Sequence, residues 1–172
     1  VKACIGGGLP VVSGTTGWTF DKQDVDLRCR ENKTSFFYSS NYSIGMNIFM
    51  MVNKILASKL SAYPQYSAKI AETHHIHKLD KPSGTAITLA KGIIEGNSKY
   101  NDWKLDAEAE NCVEIDSYRE GEVFGDHTIC WESDFDTISI THSAKSRYAL
   151  ACGAVMAAEF IAGKSGFSSM ED

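Results

Sequence analysis

A short β-branched run at residues 9–13, LPVVS, ends directly in Gly14-Thr15-Thr16-Gly17, and that succession narrows the folds open to this chain. A run this short, apolar and without alternation fits a strand buried on both faces, as parallel strands in open α/β sheets are. Residues 1–8, VKACIGGG, look like a helix closing on glycines. Residues 21–32 are charged and helix-compatible, and residues 35–39, SFFYS, form a second short apolar run. Residues 1–39 therefore read helix, strand, helix, strand. Ligands of such sheets lie beyond the carboxyl ends of the strands, where the loops at 14–17 and 39–42 are expected.

Residues 44–63 change character, with Ile44, Ile48, Met51, Ile55 and Leu56 on one stripe at helical spacing. Residues 66–75 alternate as a half-buried strand does. Residues 86–94 read as a helix ending near Gly96, followed by strands at 113–119, 122–132 and 137–142. Glu120-Gly121 is read as a hairpin turn between the first two, and Ser133-Asp134 as a turn before the third. Residues 149–162 are alanine-rich and form a last helix, closed by Gly163.

The chemistry is concentrated in residues 74–86, HHIHKLDKPSGTA. Imidazoles and an ammonium can donate protons near neutral pH, and Pro82, Ser83, Gly84 and Thr85 open a helix whose free N–H groups attract an anion. The pattern points to a small anionic substrate with a proton donor beside it. No metal is expected, because His74, His75 and His77 lack helical i, i+4 spacing and Lys78 repels a cation. Glu72 and Asp80 are read as orienting the neighbouring histidine or lysine, or as solvated. Arg147 stands out near the end of the last strand, since its guanidinium matches a carboxylate bidentately.

A net charge of -5 and no concentrated basic surface argue against nucleic acid, and no apolar run approaches a membrane span, so neither partner is expected. The 5 cysteines are odd in number and scattered, which fits reduced thiols and a cytoplasmic location, and no signal peptide is read at the start.

The segments GTTGW at 14–18, SNYSIGMN at 40–47, HHIHKLDKPSGTA at 74–86, GDHTI at 125–129 and THSAKSRYALACGA at 141–154 occur in one order. Together they resemble the 4-hydroxy-tetrahydrodipicolinate reductase (dihydrodipicolinate reductase) family, over nearly the whole chain. The resemblance implies an α/β fold: the end of a doubly wound (Rossmann-like) parallel sheet plus an α+β substrate and oligomerisation domain with a mostly antiparallel or mixed sheet. The implied division is 1–41 as remnant of a dinucleotide-binding domain, 42–147 as substrate-binding and tetramerisation domain, and 148–172 as a helix returning to the first.

It further implies NADPH- or NADH-dependent reduction of a small cyclic dicarboxylate in lysine and diaminopimelate biosynthesis, by a homotetramer. His74 would be the general acid and Lys78 the donor that stabilises or protonates the developing anion. His75, Gly84, Thr85 and Arg147 would hold the carboxylates; Gly14, Thr15, Thr16, Ser39, Ser40, Asn41 and Tyr42 would face the nicotinamide. The family opens with a strand and a GxGxxG turn, and this sequence has neither. The nucleotide-binding half is therefore expected to lie outside the chain, and the alternative expectation is a truncated, non-catalytic, dicarboxylate-binding oligomerisation domain.

Overall fold

The computed structural model describes residues 1–16 and 18–172, so Gly17 of the first glycine loop lies outside the described residues. Two units are formed: Val1–Asn47 with Arg147–Asp172, and Ile48–Ser146.

The first unit contains α1 (Lys2–Gly6), β1 (Val11–Ser13), α2 (Lys22–Glu31) and β2 (Ser35–Tyr38), then α5 (Tyr148–Phe160) and β8 (Gly166–Ser168) from the end of the chain. Asp21 starts α2 by accepting from the N–H groups of Gln23 and Asp24. The three strands form an all-parallel sheet in the order β1-β2-β8. Successive residues of β2 serve different cores. Phe36 packs with Ile5, Val25 and Cys29, whereas Phe37 packs with Tyr42, Ala157 and Ile161. This two-sided burial is why SFFY reads as a continuous apolar run.

Gly153 in α5 is needed for close approach: a Cβ there would collide with the carbonyl oxygen of Tyr42. Gly153→Ala is expected to cost about 3 kcal/mol, the upper end for overpacking, as read from thermal unfolding. A melting temperature equal to that of the parent chain would contradict this.

The second unit holds the rest of α3 (Ile44–Leu60), then β3 (Ser67–His74), α4 (Gly84–Gly96), β4 (Asp102–Leu105), β5 (Cys112–Arg119), β6 (Asp126–Glu132) and β7 (Thr137–Ser143). Its five strands run β4-β5-β3-β6-β7; β4, β5 and β3 are mutually parallel, and β6 and β7 are antiparallel additions. The expected α/β class, with a parallel sheet and a mixed one, is thus found.

Two local expectations are corrected. The segments at 113–119 and 122–132 do not form a hairpin through Glu120-Gly121: β3 lies between β5 and β6, parallel to one and antiparallel to the other. Inserting β3 gives both strands a full ladder against an apolar partner instead of against each other. The Ser133-Asp134 turn does join the antiparallel pair β6 and β7. On α3, Ile44, Ile48, Met51 and Ile55 are exposed, and the buried face is Met46, Phe49, Asn53, Ala57 and Leu60. At Asn53 and Ala57 that face carries a polar and a small group because α4 comes close there. Asn53 Nδ2 donates to the Leu89 carbonyl at 2.8 Å, and a Cβ on Gly96 would lie 3.0 Å from the Ala57 Cβ. The short strands β4 and β8 were not expected from the sequence.

Candidate functional site

Along β3 the side chains of Ala68, Ile70, Glu72 and His74 all turn to the buried face. Period-two alternation therefore puts a carboxylate, 1% exposed, in line with a hydrophobic strand core. Such a group must be hydrogen-bonded. Glu72 Oε1 accepts from the Ser83 N–H at 2.9 Å and from Ser117 Oγ at 2.6 Å, while Oε2 accepts from Ser83 Oγ. Two imidazoles stand 3.6 Å from Oε2, His74 through Nδ1 and His127 through Nε2. Arg119 Nη1 lies 3.7 Å from Oε1. Burial opposes ionisation of Glu72, but it is outweighed by His127 and by the hydrogen bonds from Ser117 and Ser83, which hold the carboxyl well below the usual carboxylate range.

Ser83 also starts α4. Its Oγ accepts from the Ala86 N–H at 3.1 Å, so one side chain joins the helix N-terminus to the buried carboxylate. Gly84 and Thr85 are the first two residues of that helix, at its positive end.

The loop after β3 carries the other donors. His75 is half-buried, and His77 is exposed and paired with Glu122 at 3.0 Å. Lys78 Nζ donates to Asp80 Oδ1 at 2.6 Å, which holds the Asp80 carboxyl below its ordinary range. Arg119 fastens the loop backbone, donating to the carbonyls of Asp80 (2.6 Å) and Lys78 (3.3 Å) and to Ser117 Oγ (3.0 Å).

His74 is 7% exposed, and burial pushes it down to about 4; Glu72 pulls the other way, while His127, Lys78 and Arg119 reinforce the depression. Its imidazole is thus neutral at pH 7. An unfolded chain binds a proton at this residue below pH 6.5 and the folded one does not, so stability present above pH 6.5 is lost as the pH falls toward 4. Between pH 7 and 5 the loss from His74 is expected to be about 2 kcal/mol by linkage. His142, also pushed down by burial, acts in the same direction. Urea unfolding at the two pH values, with His74→Gln as the control that removes most of the difference, measures this; an equal difference in the variant would rule His74 out as its source.

Glu72, His74 and His127 are all buried, with one ligand-type atom each within 4.8 Å of the others. They form a hydrogen-bond hub better than a cation site, because Ser83 and Ser117 already donate to both carboxylate oxygens and Arg119 adds positive charge.

His74, His75, Lys78, Gly84 and Thr85 therefore belong to one end of the second unit. Glu72 is not solvated; it faces His74, and Asp80 holds Lys78. Sequence reasoning missed His127, Ser117, Arg119 and the double role of Ser83. A signal for His127 was present: it shares the buried-face alternation of β6 with Ile129 and Trp131.

The remaining candidates lie in the first unit. Gly14, Thr15 and Thr16 follow β1 and are exposed, and Ser39, Ser40, Asn41 and Tyr42 follow β2. Ser39 Oγ donates to the Asn41 carbonyl at 2.6 Å, and the Tyr42 hydroxyl, its pKa pushed up by burial, donates to the Ser13 carbonyl at 2.8 Å. A Cβ on Gly14 would lie 3.2 Å from the Tyr42 ring. The loops that follow two neighbouring parallel strands thus meet, with Gly14 packed on the Tyr42 ring. Arg147 is exposed at the start of α5. No helix among the described residues is long and apolar enough to cross a membrane.

Residues 45–172 match the family model described as dihydrodipicolinate reductase, C-terminus. A 4-hydroxy-tetrahydrodipicolinate reductase of Christiangramia forsetii is 46% identical over 172 residues, covering 100% of this chain and 72% of that protein. The one from Methanocaldococcus jannaschii is 36% identical over 171 residues, covering 95% of this chain and 61% of that protein. Among solved structures, a dipicolinate-bound dihydrodipicolinate reductase from Paenisporosarcina sp. TG-14 superposes with a TM-score of 0.73 at 24% identity, over 98% of this chain and 65% of that one. The chain thus spans 61% to 72% of the length of these relatives.

Proposed function

Since the chain belongs to the dihydrodipicolinate reductase family, we propose that it carries the substrate site of an NADH- or NADPH-dependent reductase. The reaction is that of 4-hydroxy-tetrahydrodipicolinate to tetrahydrodipicolinate, in lysine and diaminopimelate biosynthesis, by a cytoplasmic homotetramer. The observation that carries this reading is the gathering of His74, His75, Lys78 and the Gly84-Thr85 helix start at one end of the second unit. A dicarboxylate needs positive charge and N–H donors, and a reduced imine needs a proton; this end of the unit offers all three. The five free cysteines support a reducing compartment.

The residues after β1 and β2 fit the nicotinamide end of a dinucleotide because they lie beyond the carboxyl ends of two neighbouring parallel strands, with the exposed Thr15 and Thr16 available to an amide. Bound there, a dihydronicotinamide supplies the hydride. This chain's own residues do the rest. Gly84 and Thr85 N–H groups, with His75, bind and orient the carboxylates. Lys78, held by Asp80, places an ammonium against the negative charge that develops on the substrate ring. His74 transfers the proton that balances the hydride, a contribution typically of about 10²–10⁴-fold.

The test is NAD(P)H oxidation by the full-length protein, supplied with freshly generated 4-hydroxy-tetrahydrodipicolinate. Turnover inhibited by dipicolinate is expected. Dipicolinate binding without turnover in the full-length protein would instead favour the non-catalytic oligomerisation domain, and neither binding nor turnover would overturn both readings.

A further inference from the structure

His74 sits between two unlike neighbours. One edge of its ring presents Nδ1 to Glu72 Oε2 at 3.6 Å, beyond hydrogen-bond distance, and among the described residues this buried nitrogen has no hydrogen-bond partner, so the carboxylate acts on it through its charge. The other edge presents Nε2 and Cδ2 to Gly125, at the entrance to β6. Gly125 has φ +148, a conformation that L side chains rarely adopt, and a Cβ there would lie 3.1 Å from Nε2 and 3.2 Å from Cδ2. The absence of a side chain at position 125 therefore leaves the Nε2 edge unblocked from that strand, while the opposite edge faces a fixed anion.

Glu72 is held rigidly enough to orient the ring. Donors from Ser83 and Ser117 fix both its oxygens, and those donors come from two different elements, the α4 cap and the centre of β5. The ring of His127 packs edge-on against His74, with centroids 5.1 Å apart at 77°, and limits its rotation. A carboxylate facing an imidazole nitrogen favours the proton on that nitrogen, and the tautomer follows from the partner.

We infer that Glu72 is the positioning residue of this site: it holds the neutral His74 as the Nδ1–H tautomer, so that Nε2, on the edge opened by Gly125, is the atom that accepts and later delivers the proton. In the Nδ1–H tautomer Nε2 carries the lone pair that can take a proton. Binding of a dianionic dicarboxylate adds negative charge beside it, and one solvent proton bonds to Nε2, giving an imidazolium held between Glu72 and the ligand. In turnover the Nε2–H bond breaks and the proton passes to the substrate ring as that ring gains the hydride, which returns His74 to the neutral Nδ1–H form. The groups that face the imidazole and set this balance are Glu72 on its own strand, His127 on β6, Lys78 on the following loop and Arg119 on β5. The use made of the proton rests on the reductase reading, whereas the tautomer and the proton uptake do not.

The experiment uses the full-length protein with ¹⁵N-labelled histidine. In the wild type without ligand, at pH 7.5, the His74 shifts are expected to show Nδ1 protonated and Nε2 bare. Titration with dipicolinate, by calorimetry in buffers of different ionisation enthalpy, is expected to show uptake of about one proton per site by linkage. Glu72→Gln is expected to lose that uptake and to lower kcat about 10²-fold, the low end for a positioned proton donor, with KM changed less than about 3-fold. The acidic limb of its kcat profile should also move. An Nε2–H tautomer in the free wild type overturns the inference, as does dipicolinate binding without proton uptake. A folded Glu72→Gln with unchanged kcat and pH profile overturns it too. If Glu72→Gln does not fold, the wild-type tautomer and proton uptake still decide. Failure of the reductase reading looks different: the wild type oxidises no NAD(P)H, while the spectra still report the tautomer.

Discussion

Lys78→Ala in the full-length protein is expected to lower kcat by about 10²–10⁴-fold, the range that one positioned proton or charge donor contributes, and to leave the fold intact. The two effects separate because of how Lys78 is held. Among the described residues its ammonium bonds only to the exposed Asp80 carboxylate, at 2.6 Å. An ion pair of that kind contributes at most about 1 kcal/mol. The part of Lys78 that organises the loop is its backbone, whose N–H bonds to the His75 carbonyl at 3.1 Å and whose carbonyl accepts from Arg119 at 3.3 Å. Alanine keeps both. Steady-state kinetics alongside thermal unfolding checks the pair of expectations: undiminished turnover would remove Lys78 from the reaction, and a large drop in melting temperature would mean that its side chain supports the loop.

Glu72→Ala is expected to do the opposite, lowering stability by about 3–5 kcal/mol, the cost of removing one member of a buried charged cluster. Truncation leaves the Ser83 N–H and hydroxyl, the Ser117 hydroxyl and the Arg119 guanidinium facing an empty space on the central strand. It also weakens the start of α4, since Ser83 is held by Glu72 while it caps the helix. Urea unfolding of the variant measures the loss. A change below about 1 kcal/mol, the net worth of one ordinary hydrogen bond, would mean that water replaces the carboxylate without penalty and that the hub is not what holds β3, β5 and α4 together.

What could be read in advance followed the range of the interactions concerned. The start of α4 was legible because capping is local: Ser83 and the Ala86 N–H are three residues apart. The helix over 44–60 was legible from its period, but which face it buries was not. The apolar stripe of Ile44, Ile48, Met51 and Ile55 competes with a face whose centre is Asn53 and Ala57, and it is the close approach of α4 at Gly92 and Gly96 that needs these two residues on the buried side. The supposed hairpin at Glu120-Gly121 failed for a related reason, since a turn signal reports that the chain bends and not which strand it then pairs with.

For the site the same boundary holds. Residues 74–86 by themselves determined the helix start at Ser83 and the presence of imidazole and ammonium groups, because those depend on residue types at near spacing. Only the tertiary structure decided the protonation state and the supporting cast. Pairing β3 between β5 and β6 brings Ser117, Arg119 and His127 to Glu72 across 45 or more residues of sequence for the two nearest donors from the sheet. Burial then makes His74 neutral where its neighbours in sequence would have left it free to titrate near its ordinary value. Proton affinity depends on solvation and on charges within a few ångströms, and those distances exist only once the strands are in order.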